Sequence, residues 1–138
     1  MRKVWALQHR FWSVVTGADI PLGCNIGGGL LLPHPNGIVV HPDARIGPNC
    51  LIFQQVTLGT RGETGAPVVG GRVDIGAGAR ILGDVTLGDY SMVGANSVVL
   101  STFPLGSVVV GSPARRVGRS KTAPKSTESS PPLADGAG

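Results

Sequence analysis

Three histidines could carry acid–base chemistry near neutral pH in this chain of 138 residues: His9, His34 and His41. A proline stands on each side of His34, and a stiff backbone suits a side chain that must keep a fixed orientation. A neutral imidazole held there could accept a proton from a bound hydroxyl group. Asp19 is the nearest acid in terms of the repeat described below, and its spacing from His34 permits a pairing without requiring one.

The elements that must position these residues follow a period of six. Aliphatic residues recur at this spacing, and a small residue stands four positions after most of them. The aliphatic positions are Ile20, Ile26, Leu32 and Ile38, then Val40, Ile46, Ile52 and Leu58, then Val69, Ile75, Ile81, Leu87, Val93, Val99 and Leu105.

A period of six fits neither an α-helix, whose apolar spacing is near 3.6, nor an amphipathic strand, whose spacing is near 2. It is typical of a parallel β-helix, in which three short faces close a triangular coil of about eighteen residues. We therefore predict an all-β fold, a single-stranded parallel β-helix, with glycine or asparagine at bends that need a positive φ. Edge strands of a β-sandwich would need alternating patterns that this chain lacks.

Interruptions of the period divide the β-helix, which we place at residues 17–117. The register slips by two residues at Ile38 and Val39, and the spacing between Leu58 and Val69 is eleven rather than six. Residues 59–68 are therefore predicted to form an extruded loop. A solenoid that interrupts its own repeat usually does so on its binding face.

The two ends of the chain lack the period. Residues 1–16 are predicted to form a short helix with Trp5, Phe11 and Trp12 on its apolar side, which packs over the open end of the β-helix or contacts a membrane surface. Residues 118–138 offer almost nothing to bury, so a disordered tail is predicted there.

Composition and charge narrow the classes of function. The formal net charge of +4 comes largely from cations near the two ends, which form no stripe for nucleic acid, so no nucleic-acid binding is predicted. No stretch is long enough for a membrane span. Cys24 and Cys50 fall on small inward positions, which fits buried free thiols in a reducing compartment. We expect a cytoplasmic protein.

Several segments of the chain resemble one family, the serine O-acetyltransferases, and their short relatives from capsule and exopolysaccharide gene clusters. The resemblance extends over about residues 17–117. Its motifs are Asp19 with Ile20, HPNGIVV at 34–40, QQVTLG at 54–59, IGAGARILG at 75–83 and GSPAR at 111–115.

This resemblance implies a left-handed β-helix that uses acetyl-CoA as acyl donor, with no metal required. It implies that His34 is the general base and that Asp19 orients it. It also implies a homotrimer whose active sites lie between neighbouring subunits. The positions that match the family's CoA cleft are Thr60, Ala77 and Ala95 through their backbone groups, with Arg115 and Arg116 near the phosphates.

The departures from the family concern the acceptor. Gly65 and Ala66 stand where the family's loop carries an Arg-His pair that helps to hold the amino acid, and Pro42 replaces an acidic residue. The large N-terminal helical region is reduced to some sixteen residues. The acceptor therefore stays open between L-serine and a sugar or exopolysaccharide precursor.

Two other functions compete with acetyl transfer. A metal site of the carbonic-anhydrase type between subunits would need three converging histidines, and only His34 and His41 lie in the solenoid. A catalytically inactive scaffold is the second alternative, with Gly65 and Ala66 as its support.

The side chains of Phe53 and Tyr90 occupy non-inward positions of the repeat, which suits burial in a threefold assembly. The residues themselves therefore also predict a trimer.

Overall fold

The computed structural model describes residues 2–125, which form one helix followed by a series of very short strands. The helix α1 spans Arg2–Thr16. The strands are β1 Asn25–Ile26, β2 Val39–Val40, β3 Arg45–Ile46, β4 Leu51–Ile52, β5 Thr57–Gly59, β6 Val68–Val69, β7 Asp74–Ile75, β8 Arg80–Leu82, β9 Thr86–Leu87, β10 Met92–Val93, β11 Val98–Val99, β12 Ser107–Gly111 and β13 Ala114–Arg119.

These strands stack into three parallel sheets, which are the three faces of a triangular prism. The first face is β1-β3-β6-β9, the second is β4-β7-β10-β12-β13, and the third is β2-β5-β8-β11. Every pairing is parallel except the last, because β13 turns back along β12 as an antiparallel hairpin. The chain visits the faces in rotation, so the predicted parallel β-helix is confirmed.

The register shows where the coils depart from eighteen residues. Val68 pairs with Thr86, eighteen residues on, whereas Asn25 pairs with Arg45, twenty residues on. The two extra residues fall between Leu31 and Val39, around His34, as the slip in the sequence predicts. Thr57 pairs with Arg80, which leaves five extra residues in the loop that follows β5.

The core is a column of stacked aliphatic side chains with a second column of small residues beside it. Buried members of the first column include Val40, Ile46, Ile52, Leu58, Val69, Ile75, Ile81, Leu87, Val93 and Val99. Serines in the second column are buried as well, and the hydroxyls of Ser91 and Ser107 donate to the carbonyls of Gly88 at 2.7 Å and Pro104 at 2.6 Å. Each buried hydroxyl is thereby paired, as an apolar interior requires.

The corners of the prism use two kinds of position. Positive φ occurs at the third corner residue, for example 59° at Asn49 and at Gln55, and 62° at Tyr90. The glycine directly after the aliphatic residue is needed for a different reason. A Cβ on Gly47 would lie 2.5 Å from the backbone of Gly70, so only glycine allows the next coil to approach.

The carboxyl-terminal end corrects two predictions. Leu105 is 42% exposed, because the last coil is two residues short and Phe103 pairs with Leu87 in its place. The boundary at residue 118 is wrong, since β13 continues to Arg119 and both Ser120 and Ala123 are buried. These small residues pack closely against the last corner, which hydropathy does not reveal. The rest of the predicted tail, 126–138, lies outside the described residues.

Helix α1 is attached to the amino-terminal end of the prism. Its His9 Nε2 lies 2.6 Å from the carbonyl oxygen of Ile20 in the first coil, and most of its apolar side chains remain exposed. Among residues 2–125 the structure contains no helix with the length and hydropathy that crossing a bilayer requires.

Candidate active site

One corner of the prism carries three of the residues that the sequence singled out. This His34 corner consists of residues 33–38, 53–56, 76–79 and 94–97, which join the second face to the third. Backbone N–H groups link its levels: Gln55 donates to Asn36 at 2.9 Å, Gly78 to Gln54 at 2.9 Å, and Asn96 to Ala77 at 2.8 Å. His34, Ala77 and Ala95 therefore lie along one edge, on the first, third and fourth levels.

His34 is exposed, and its segment is two residues longer than the matching segment of the next coil. The two extra residues push its segment out from the corner, and Gly37 closes the loop with a φ of 71°. The Gly37 N–H donates to the carbonyl of Gly17 at 2.8 Å, and that of Ile38 donates back to Pro35 at 3.3 Å. Backbone hydrogen bonds therefore hold the loop that carries the imidazole, and the ring is accessible to a ligand.

Asp19 lies next to the strand that follows this loop. Its N–H donates to the carbonyl of Ile38 at 2.7 Å, and its carbonyl accepts from the N–H of Val40 at 2.9 Å. The Asp19 side chain is exposed, and no hydrogen bond joins it to His34 in the described part of the chain. The backbone brings the two residues to one end of the prism, and the pairing of their side chains stays a prediction.

Thr60 lies at a different corner. It follows β5 on the third face and opens the loop predicted at 59–68, which the strands limit to 60–67. In this loop the Thr64 hydroxyl donates to the Arg61 carbonyl at 2.6 Å. The loop base is held by the Gly83 N–H, which donates to the carbonyl of Gly59 at 2.9 Å. A single chain therefore does not bring Thr60 to the His34 corner.

Arg115 and Arg116 lie on β13, beyond Ala95. They pair with Val110 and Val109 of β12, and the Gly94 N–H donates to the Val109 carbonyl at 2.9 Å. Both arginines are exposed. They lie two levels beyond Ala95, because β12 is between β10 and β13.

The two cysteine thiols and His41 do not form a second reaction centre within residues 2–125. Burial, with a smaller contribution from the Asp19 carboxylate, raises the pKa of the Cys24 thiol, and burial also raises the pKa of Cys50. Both thiols therefore stay protonated at neutral pH and are poor nucleophiles. His41 Nδ1 accepts from the Asp43 N–H at 3.1 Å and lies 4.0 Å from the Asp43 carboxylate, so it faces its own corner.

An apolar groove of about 380 Å³ lies beside the His34 segment, between α1 and the first coil. Its walls include Ile20, Leu22, Leu32 and Pro35, and His9 is among its few polar side chains.

Sequence reasoning missed two polar residues near these features. The side-chain oxygen of Gln54 is buried without a hydrogen-bond partner in the described residues, one level beyond His34. Arg61 is the cation of the 59–68 loop. The signal for Gln54 was a pair of glutamines at a corner whose third level carries only glycine and alanine. Arg61 was overlooked because the family's cation stands elsewhere in the loop.

The geometry defines a class of protein, the hexapeptide-repeat β-helices. Residues 66–101 match the family model "Bacterial transferase hexapeptide (six repeats)". Within that class the chain resembles serine acetyltransferases, which confirms the resemblance inferred from its motifs. The serine acetyltransferase of Mycobacterium tuberculosis is 41% identical over 117 residues, which are 83% of this chain and 51% of that protein.

Solved structures of serine acetyltransferases are similar to this chain as well. The soybean serine acetyltransferase complexed with serine aligns with a TM-score of 0.73 at 44% identity, over 76% of this chain and 44% of its own. The Brucella abortus serine acetyltransferase in complex with coenzyme A aligns with a TM-score of 0.74 at 38% identity, over 78% and 44%. The chain thus spans about half the length of the relatives it matches.

Proposed function

We propose that this protein is an acetyl-CoA-dependent O-acetyltransferase with His34 as its general base. The observation that carries the proposal is the order of residues along the His34 corner, with the imidazole at one end, Ala77 and Ala95 between, and Arg115 two levels further, on β13. Levels about 4.8 Å apart give a track for an extended pantetheine arm, with cations near its phosphates. The resemblance of the chain to serine acetyltransferases supports a left-handed winding of the β-helix.

The reaction follows from the chemistry of these groups. His34 takes the proton of the acceptor hydroxyl while the oxygen attacks the thioester carbonyl of acetyl-CoA. The tetrahedral intermediate collapses, the carbon–sulfur bond breaks, and the departing CoA sulfur receives the proton from the imidazolium. Asp19 stabilises that imidazolium and orients the ring. Gln54 Oε1, buried and unpaired above His34, can accept a hydrogen bond from an amide of the donor.

We propose further that the active protein is a homotrimer. Thr60 and its loop lie at a different corner from His34 within one chain. A neighbouring copy related by a threefold axis can bring that corner to the His34 corner and complete the cleft.

We consider two classes of acceptor, L-serine and a sugar or exopolysaccharide precursor. The relatives' names support L-serine, and Arg61 is then the loop cation available to its carboxylate. The absence of a cation at Gly65 and Ala66 favours a sugar or exopolysaccharide precursor instead.

Release of the CoA thiol from acetyl-CoA tests the function, measured with L-serine, sugars and nucleotide sugars in parallel. We expect acceptor-dependent release with one class. If L-serine is the acceptor, Arg61→Ala should raise its KM while Arg45→Ala, on the first face, leaves it unchanged. Absence of acceptor-dependent release across the panel would contradict the enzyme and favour the scaffold.

A further inference from the structure

Helix α1 turns one side toward the β-helix. His9, Trp12 and Ser13 line the groove against the first coil, and His9 Nε2 lies 2.6 Å from the Ile20 carbonyl oxygen. These contacts fix the rotation of the helix about its axis. Residues two positions apart are about 160° apart around a helix, so Leu7 and Phe11 point away from the prism.

The outward side is apolar along the whole helix. Val4, Leu7, Phe11 and Val14 follow the spacing of a single helical face and are 61–84% exposed, and Val15 beside them is 59% exposed. The aliphatic side chains and Phe11 therefore face solvent, while the side facing the protein carries His9 and Ser13 beside Trp12. A helix that only caps the prism would show the reverse arrangement.

Charge indicates what covers this face. Lys3 and Arg10 lie seven residues apart, on one margin of the apolar face, and α1 contains no aspartate or glutamate. Trp5, 65% exposed, lies about 80° beyond Val15 around the helix, on the side that carries Trp12 and His9. An apolar face with cations at its margin, on a helix without acids, is the arrangement of helices that lie in the headgroup region of a bilayer. Two such faces packed together would bring like charges close to each other.

We propose that α1 docks the protein, in the plane of the surface, on an anionic lipid bilayer. The face formed by Val4, Leu7, Phe11, Val14 and Val15 enters the boundary between headgroups and acyl chains. Lys3 and Arg10 contact the anionic headgroups. Leu22, 65% exposed in the first coil, lies at the same end of the prism. The inference is independent of the acetyl-transfer reaction.

Flotation of the full chain with lipid vesicles tests this inference. We expect binding to vesicles that mix phosphatidylglycerol with phosphatidylcholine, weaker binding to phosphatidylcholine alone, and release at high salt. Leu7→Gln with Phe11→Gln should lower the partition coefficient at least tenfold. Leu31→Gln, at an exposed leucine of the β-helix, is the matched control and should leave it unchanged. Lys3→Gln and Arg10→Gln should each lower binding to the anionic vesicles by roughly fivefold.

Three outcomes would overturn the inference. The first is no flotation with anionic vesicles at low salt. The second is equal binding by the Leu7→Gln, Phe11→Gln double variant and the Leu31→Gln control. The third is a change in the oligomer's size, by light scattering, in the double variant, which would show that a second copy covers the face.

Discussion

At the residue scale, His34 is exposed on a segment that is two residues longer than the matching segment of the next coil. The 33–38 segment therefore bulges from its corner. Backbone hydrogen bonds at Gly37 and Ile38 hold the bulge in one conformation. An imidazole that must meet two substrates needs both this access and this rigidity.

Asp19→Asn tests the positioning role of the carboxylate. We expect kcat/KM to fall by roughly tenfold to a hundredfold, less than for loss of His34, because the charge that stabilises the imidazolium is removed while the base remains. Asp43→Asn, at an exposed carboxylate beside His41, is the control. The measurement is kcat/KM across a range of pH for both variants. If the two variants have the same rates and pH profiles, Asp19 has no such role.

At the element scale, the corner glycines set the spacing of the coils. A Cβ on Gly76 would lie 2.7 Å from the backbone nitrogen of Ala95, and one on Gly47 would lie 2.5 Å from Gly70. Neither glycine has a positive φ. Their role is therefore to let one coil approach the next, and this approach also sets the level spacing along the His34 corner.

The Gly47→Ala variant tests how much the close approach of the coils contributes to the free energy of unfolding. The added methyl group forces the coils apart, which should lower the free energy of unfolding by about 1–3 kcal/mol. Gly28→Ala is the matched control, since a Cβ at Gly28 meets no atom within 4 Å. Its effect should stay within about 1 kcal/mol. Urea unfolding at equal protein concentration gives both values, and equal midpoints would contradict the close-approach argument.

Much of this architecture could be predicted from the sequence, because a period of six has few physical solutions. The slip beside His34 and the loop at 59–68 followed from the same period. The end of the last coil did not, since Phe103 and Leu105 both fit an inward position and only the register of β12 decides between them. The buried Ser120 and Ala123 were missed because small residues carry little hydropathy signal.

At the scale of the whole molecule, the candidate site is divided between two corners. His34, Ala77 and Ala95 lie on one, and Thr60 with its loop lies on another. The resemblance to the family identifies Thr60, Ala77 and Ala95, whereas the assignment of strands to the three faces shows their separation. The separation is the physical reason for proposing a trimer, which light scattering at micromolar concentration should detect.

Truncation tests where the folded part ends. The N–H of Ser120 donates to the Gly106 carbonyl at 2.8 Å, and Arg119 Nη2 donates to the Pro124 carbonyl at 2.6 Å. A chain that ends at Arg119 should therefore have a Tm about 4 °C or more below that of a chain that ends at Lys125. Equal Tm values would show that residues 120–125 add nothing to stability.

The most direct test of the central claim compares His34→Ala with His41→Ala in acetyl transfer. An alcohol attacks a thioester only as a base removes its proton, and such a base contributes on the order of a hundred- to ten-thousand-fold in rate. We predict that His34→Ala loses transfer by this factor while its oligomeric state and CoA binding persist, and that His41→Ala stays near the unaltered protein. Retention of activity within a few-fold in His34→Ala would contradict the assignment of His34 as the base.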